Sequence, residues 1–204
     1  MRFDFSGTNF FCVGILAGFF CQAILPSTAA ARDAQVLQSS GRQVTIAYRV
    51  TGFQLQKIRL AESGEMASRP DFENSIYLNQ VGAPELPTRV FVIGVPSGAQ
   101  AEVSITPGAS EELSGIYVPP VPIKEPAEEL TRLRYVPDPP IYDRDAYYPT
   151  ELVRVDPPAQ FRQQSIVRVQ VMPVQYHPVK KQLRIYRELQ IVVRFVGGTL
   201  PPAS

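Results

Sequence analysis

The stretch from Ser165 to Val196 leaves this chain little freedom in what it can fold into. Val167, Val169 and Val171 alternate with Arg168 and Gln170, the period of two that marks a half-buried strand. The segment from Pro173 to Pro178 interrupts the run, because proline brings no backbone donor to a ladder. After Lys180-Lys181 the alternation returns. Leu183, Ile185, Leu189, Ile191, Val193 and Phe195 take odd positions, opposite Gln182, Arg184, Glu188, Gln190 and Arg194. Arg187 is the one charged odd position, which puts a bulge or strand break near Tyr186-Arg187-Glu188. The segment therefore reads as a β-hairpin with one face on a core and one in water. Seven Lys or Arg residues against one Glu between Arg162 and Arg194 fit a solvated sheet face better than a binding patch.

The remaining sequence agrees with an all-β chain. Short apolar-alternating runs sit between Pro, Gly and Asn breaks, and helical periodicity is scarce. Gln43 to Val50 reads as a strand, joined through Thr51-Gly52 to a second at Phe53 to Leu60 as a hairpin. Gly64 to Asp71 reads as a polar loop, and Ser75 to Leu78 as a short strand. Leu86 to Val95 and Ala101 to Ile105 read as a pair across Pro96-Ser97-Gly98-Ala99. In that turn proline pre-sets one dihedral and glycine accepts a positive one. Pro119 to Pro149 differs in kind: proline-rich, acidic in places, with Tyr135, Tyr142, Tyr147 and Tyr148 and no sustained period. A short helix over Glu125 to Leu133 suits Pro126, Glu128 and Glu129 near a helix start. The rest reads as a long loop whose aromatics argue against simple disorder.

The amino terminus declares a destination. Arg2 precedes an apolar run from Phe10 to Leu25, and Ala29-Ala30-Ala31 supplies small residues, the layout of a secretory signal peptide cut after Ala31. The run falls short of the roughly 18 residues of a spanning helix, and neither Cys12 nor Cys21 has a lipoprotein context. Both cysteines lie in that leader, so the processed chain has no disulfide, thiol nucleophile or cysteine ligand. The domain organisation read from sequence is a signal peptide over 1–31, a β-sandwich over 32–196 and an exit linker over 197–204. With 20 basic and 19 acidic residues, charge favours neither nucleic acid nor a membrane surface as partner.

No catalytic or metal-binding constellation is legible. The single histidine, His177, sits beside Pro178 and reads as a turn residue, and the pairs Glu111-Glu112 and Glu128-Glu129 read as solvated. No glycine-rich phosphate loop is present. The sequence calls for no metal and no cofactor.

A resemblance nevertheless runs through most of the chain. Val81-Gly82-Ala83-Pro84-Glu85-Leu86-Pro87, then Val95-Pro96-Ser97-Gly98-Ala99, resembles the front of gingipain-type propeptides, the amino-terminal prodomains of family C25 cysteine peptidases. Further on, Tyr142-x-x-Asp145-x-x-Tyr148-Pro149, Pro173-Val174-Gln175-Tyr176-His177-Pro178 and Leu183-Arg184-Ile185-Tyr186 follow in order. Arg162-Gln163 departs from the Arg-Gly common in the family, which implies a reshaped turn. The resemblance implies an antiparallel, jelly-roll-like β-sandwich with a long Pro-rich loop. It implies an intramolecular chaperone and latency inhibitor whose partner, in cis or in trans, is a C25 cysteine peptidase domain absent from this chain. In an arginine-specific peptidase the blocking side chain would be an arginine, and Arg144, Arg132 and Arg134 are the candidates. Arg144, between Asp143 and Asp145, leads. The competing expectation is an exported adhesion or glycan-binding module using exposed tyrosines of the Pro-rich loop.

Overall fold

The computed structural model describes residues 33–61, 63–126 and 131–199. The expected signal peptide, with its cut at Ala31, lies outside them. The strands are β1 (Ala34–Ser39), β2 (Gln43–Arg49), β3 (Gln54–Arg59), β4 (Met66–Asp71), β5 (Ile76–Tyr77) and β6 (Pro87–Val95). There follow β7 (Ser97–Pro107), β8 (Ser110–Ser114), β9 (Ile123–Glu125), β10 (Arg132–Arg134), the helical turn α1 (Pro139–Tyr142) and β11 (Val153–Val155). The chain closes with β12 (Ala159–Phe161), β13 (Gln164–Val171), β14 (Val174–His177), β15 (Gln182–Tyr186) and β16 (Glu188–Thr199).

Two larger antiparallel sheets face each other as a sandwich. One has the order β1-β2-β16-β7; the other runs β11-β13-β6-β5, with β12 also paired to β13. Their inner faces carry apolar positions that the alternation singled out. Val167, Val169 and Val171 of β13 and Leu189, Ile191 and Val193 of β16 are buried in one core with Ile46 and Tyr48 of β2. Tyr48 meets Phe91 of β6 edge-on at 5.5 Å, joining the sheets. Burying each such side chain stabilises by about 1.5–3 kcal/mol. Smaller sheets complete the domain: β14-β15-β8, β3-β4 and β9-β10.

Several connections differ from the sequence reading. Ser165 to Val196 is not one hairpin: β13 pairs with β6 and β11, β14 pairs with β15, and β16 pairs with β2 and β7. The expected break at Arg187 is present and is where the chain changes sheets, since β15 ends at Tyr186 and β16 begins at Glu188. The β2–β3 hairpin is absent too. Gly52, at φ +64, turns the chain away, and β3 pairs with β4, whose residues were expected to be a loop. Small Ala67 and Ser68 bury there without the large apolar residues that signal a strand. β6 and β7 belong to different sheets, so Pro96-Ser97-Gly98 is a corner between layers. The expected positive dihedral is there, with Gly98 at φ +74.

The helix expected at Glu125–Leu133 is replaced at its ends by β9 and β10, which pair antiparallel, while 127–130 fall outside the described residues. The helical turn forms instead at Pro139–Tyr142, with proline in its first turn. β16 runs to Thr199, its last pair being with Ser97, so the first three residues expected in the linker are ladder residues. The departure at Arg162-Gln163 makes the β12–β13 turn with Arg162 at φ +57, a left-handed conformation that costs a non-glycine residue about 1 kcal/mol.

Candidate functional site

The described residues of the Pro-rich middle are positioned by what they lie against. Gly82, at φ +83, donates its N–H to Val121 O and accepts the N–H of Asp138. A Cβ there would sit 3.1 Å from Asp138 Cβ and 3.3 Å from Val136 O, so glycine lets three strands of chain close together. Pro84 bridges Pro120, Leu86 is fully buried, and Pro87 opens β6. From Asp138 the backbone carbonyl accepts the N–H groups of Ile141 and Tyr142, forming α1. The Tyr142 side chain turns inward. Its hydroxyl donates to Val118 O at 2.9 Å, and its ring meets Tyr176 edge-on at 6.4 Å. Burial pushes the Tyr142 hydroxyl far above the ordinary phenol range, and burial likewise lifts Tyr176 to about 12. Both stay protonated.

Asp143, Arg144 and Asp145 then face solvent. The return is anchored at once. His177 is the last residue of β14 and is 3% exposed, which corrects the expectation of a turn residue. Its Nδ1 accepts the Lys180 N–H at 3.4 Å, so the ring proton sits on Nε2, 3.2 Å from Asp145 Oδ1. Tyr147 packs edge-on against the His177 ring at 5.1 Å. The Tyr147 hydroxyl lies 3.0 Å from both Glu112 Oε1 and Gln182 Oε1. Arg184 stacks on the Tyr147 ring at 3.8 Å and donates to Glu112 at 2.9 and 2.8 Å. Hydrogen bonds from Arg184, then from Tyr147, hold the Glu112 carboxyl below its usual range. Glu111 is likewise paired, with Arg187 at 2.8 Å. The two acids expected to be merely solvated therefore face arginines on β15 and the β15–β16 break, while Glu128-Glu129 lie outside the described residues.

Beyond Tyr147 the chain runs as a short strand along β14. Tyr148 and Tyr176 exchange both backbone bonds, at 2.8 and 2.7 Å. The Tyr148–Pro149 peptide is cis, and Pro149 O accepts from the buried amide of Gln175 at 2.7 Å. Pro173 O accepts from Tyr186 N and Pro178 O from Lys181 N, closing the β14–β15 hairpin at both ends. The motif residues Gly82, Tyr148, Pro149, Tyr176 and Pro178 thus serve to hold this segment to the body.

Arg144 stands at the exposed apex of a turn whose two shoulders are anchored. It overhangs a cleft of about 440 Å³ with Arg154, Glu151 and Gln170 on its walls and Met172 beneath. Arg132 and Arg134 lie elsewhere, on β10, where Arg134 is held 2.7 Å from Glu125 and Arg132 is exposed opposite Glu125 in the β9–β10 register. The three candidates divide between two segments. Tyr135, Tyr142, Tyr147 and Tyr148, the residues of the glycan-binding expectation, are all partly buried. Sequence reasoning missed the Glu112–Arg184–Tyr147 stack and the His177–Asp145 contact. The only signal for the second was a histidine beside Val174 and Tyr176 in an apolar run. Among the described residues no group of three His, Cys, Asp or Glu could hold a metal ion, and no helix is long and apolar enough to cross a membrane.

Comparison with known proteins places this geometry. The chain is 25% identical over 186 residues to Gingipain R1 of Porphyromonas gingivalis, covering 89% of this chain and 18% of the relative. It is 28% identical over 129 residues to Lys-gingipain of the same organism, covering 58% of this chain and 7% of the relative. The chain thus spans only about a fifth of the Gingipain R1 that it resembles. Its fold matches a complex of the pro- and mature domains of Porphyromonas gingivalis RgpB, with a TM-score of 0.72 at 20% identity, over 84% of this chain and 90% of that one. It also matches a structure bearing on zymogenic latency of gingipain K, with a TM-score of 0.69 at 22% identity, over 83% and 95%. The family model Propeptide_C25 matches residues 27–201, and the chain belongs to that family.

Proposed function

We propose that this chain is the non-catalytic prodomain of an exported C25 cysteine peptidase, which assists the folding of the peptidase domain and holds it latent, in cis or in trans. The observation that carries the reading is the exposed Arg144 on a turn fixed at Tyr142, Asp145 and Tyr147. A segment ordered before binding loses little conformational entropy when it enters a substrate cleft. An arginine there can engage a specificity-pocket carboxylate through two parallel hydrogen bonds. Two further findings support the reading: the pro- and mature-domain complex of RgpB that shares this fold, and the gingipain relatives. Arg132 and Arg134 are the second position for the same role, on the β9–β10 ribbon.

The test is inhibition of the C25 peptidase domain from the same genome by purified chain carrying Arg144→Ala, Arg132→Ala or Arg134→Ala. Arg144→Ala is expected to weaken inhibition by about 2 kcal/mol or more, roughly 30-fold, as for a central interface residue. Unchanged inhibition by Arg144→Ala with a loss at Arg132→Ala transfers the role to β10. Wild-type chain that leaves the peptidase fully active removes the reading.

A further inference from the structure

The solvent side of the five-stranded sheet departs from what an antiparallel sheet with one wet face requires, since such a face is ordinarily polar. On β6, Val92 is 63% exposed, and on β12, Phe161 is 61% exposed. The ladder register shows that these two do not stand alone. Even-numbered residues of β13 point outward, because Val167, Val169 and Val171 point in. Val92 lies opposite Arg168, Gly94 opposite Ile166, Ile166 opposite Ala159, and Gln164 opposite Phe161. Val92, Ile166 and Phe161 therefore fall in successive rows of one face, with the Gln164 side chain lying over Gly94 between them. An exposed apolar patch rimmed by polar residues is the usual mark of an interaction site.

The same face continues to the candidate site. One row beyond Val92 and Arg168, Gln170 lies opposite Arg154, and both line the cleft that Arg144 overhangs. From the Phe161 row to the Arg154 row is six residues of β13, about 20 Å at strand rise. The face is also arginine-rich: Arg162 stacks on Phe161 at 5.7 Å, and Arg168, opposite Val92 in the ladder, contacts Asp156 at 3.6 Å with both of those side chains about half exposed. Aromatic and arginine side chains together on one face are residue types enriched at protein interfaces.

We propose that this face, from Phe161 through Ile166 and Val92 to Arg154, is the surface on which the C25 peptidase domain sits. The proposal rests on the prodomain reading and adds the area of contact to it. A flat sheet face of this width suits a folded domain rather than a threaded peptide, and its continuity with the Arg144 turn lets one partner cover both. The arginines on the face call for acidic groups on the facing peptidase surface.

The test compares two paired variants with wild type. Val92→Glu with Phe161→Glu alters the proposed face; Val36→Glu with Leu37→Glu alters β1, whose side chains are 58% and 54% exposed. Binding to the same-genome C25 peptidase domain, inactivated at its catalytic cysteine, is measured by calorimetry. The first pair is expected to raise Kd about 100-fold and the second less than threefold, with thermal midpoints unchanged. Equal affinity for all three proteins overturns the proposal, as does an equal loss for both pairs. Should the first pair fail to fold, amide exchange on the wild-type complex decides. Protection of 90–94 and 159–168 on binding supports the surface, and no protection overturns it. A wild-type dimer in sedimentation that the Val92/Phe161 pair abolishes, with peptidase affinity intact, assigns the face to a second copy instead. Loss of inhibition by Arg144→Ala with no loss in the Val92/Phe161 pair leaves the prodomain reading standing and removes this surface alone.

Discussion

The sandwich core and the turn around Arg144 are held by opposite kinds of force. In the core, one strand face after another is apolar, and any residue on it is stabilised by many nonspecific contacts. Ile191 touches this pattern from both sides, with Ile46 on β2 and Ile105 on β7 as its ladder partners. The turn buries little of its own. It is fixed by a few directed contacts: one hydroxyl on Val118 O, one carboxylate on His177, and one tyrosine ring under Arg184. Apolar burial tolerates substitution by gradual loss, whereas each directed contact is present or absent.

Four experiments sharpen that contrast. Ile191→Ala should cost about 2–5 kcal/mol and show as a large drop in the midpoint of urea unfolding; a loss below 1 kcal/mol would mean that the two sheets are not one core. Tyr142→Phe removes a single hydroxyl donor and should cost about 1 kcal/mol, yet it should raise amide exchange across 143–148 far more than in β13 or β16. If exchange rises uniformly, the turn is not an independent unit. Arg162→Gly should act in the other direction, raising stability by about 1 kcal/mol, because glycine adopts the left-handed backbone without penalty; a lower thermal midpoint would show that the Arg162 stack on Phe161 outweighs the backbone term.

The smallest effect concerns acid. Glu112 has a folded-state pKa below its unfolded value, so its contribution to stability is present above the unfolded value near 4.5 and is lost as pH falls through the folded one. Titration below pH 4 should therefore release the Tyr147 ring, followed by its NMR ring signals, before the core melts. Release of Tyr147 at neutral pH on adding salt alone would instead make the Arg184 pair a screened surface contact.

The sequence disclosed the core because strand alternation depends on neighbours one or two residues away. Period-two alternation identified Val167, Val169 and Val171 of β13, Leu189, Ile191 and Val193 of β16, and the Arg187 break, because strand geometry repeats locally. Pairing did not follow, since the same alternation is satisfied by several partners. β13 and β16 look like one hairpin yet lie in opposite sheets. β4 escaped notice because its buried residues include small Ala67 and Ser68 rather than an alternation of large apolar side chains. The anchors of the turn were invisible for a different reason. Arg184 reaches Glu112 across 72 positions and Tyr147 reaches Gln182 across 35, and no local pattern encodes such a meeting. His177 was misplaced because a flanking proline signals a turn, while a buried ring with a partner on each nitrogen requires the tertiary fold to be seen.

The place of β16 in the ladder has a consequence for how this domain comes into being. It is the last described strand, and it lies between β2 and β7, joining Ile191 to Ile46 across the sheet. While the chain is being synthesised, β2 and β7 are made long before the strand that connects them, so the first sheet cannot close until Glu188–Val196 has emerged. Contacts this distant in sequence slow folding. The first sheet would keep unsatisfied edges on β2 and β7 until β16 is available. A polypeptide that cannot compact early is well suited to threading through an export channel before it folds, and a product halted before β16 should be taken by proteases rather than accumulate as a half-domain.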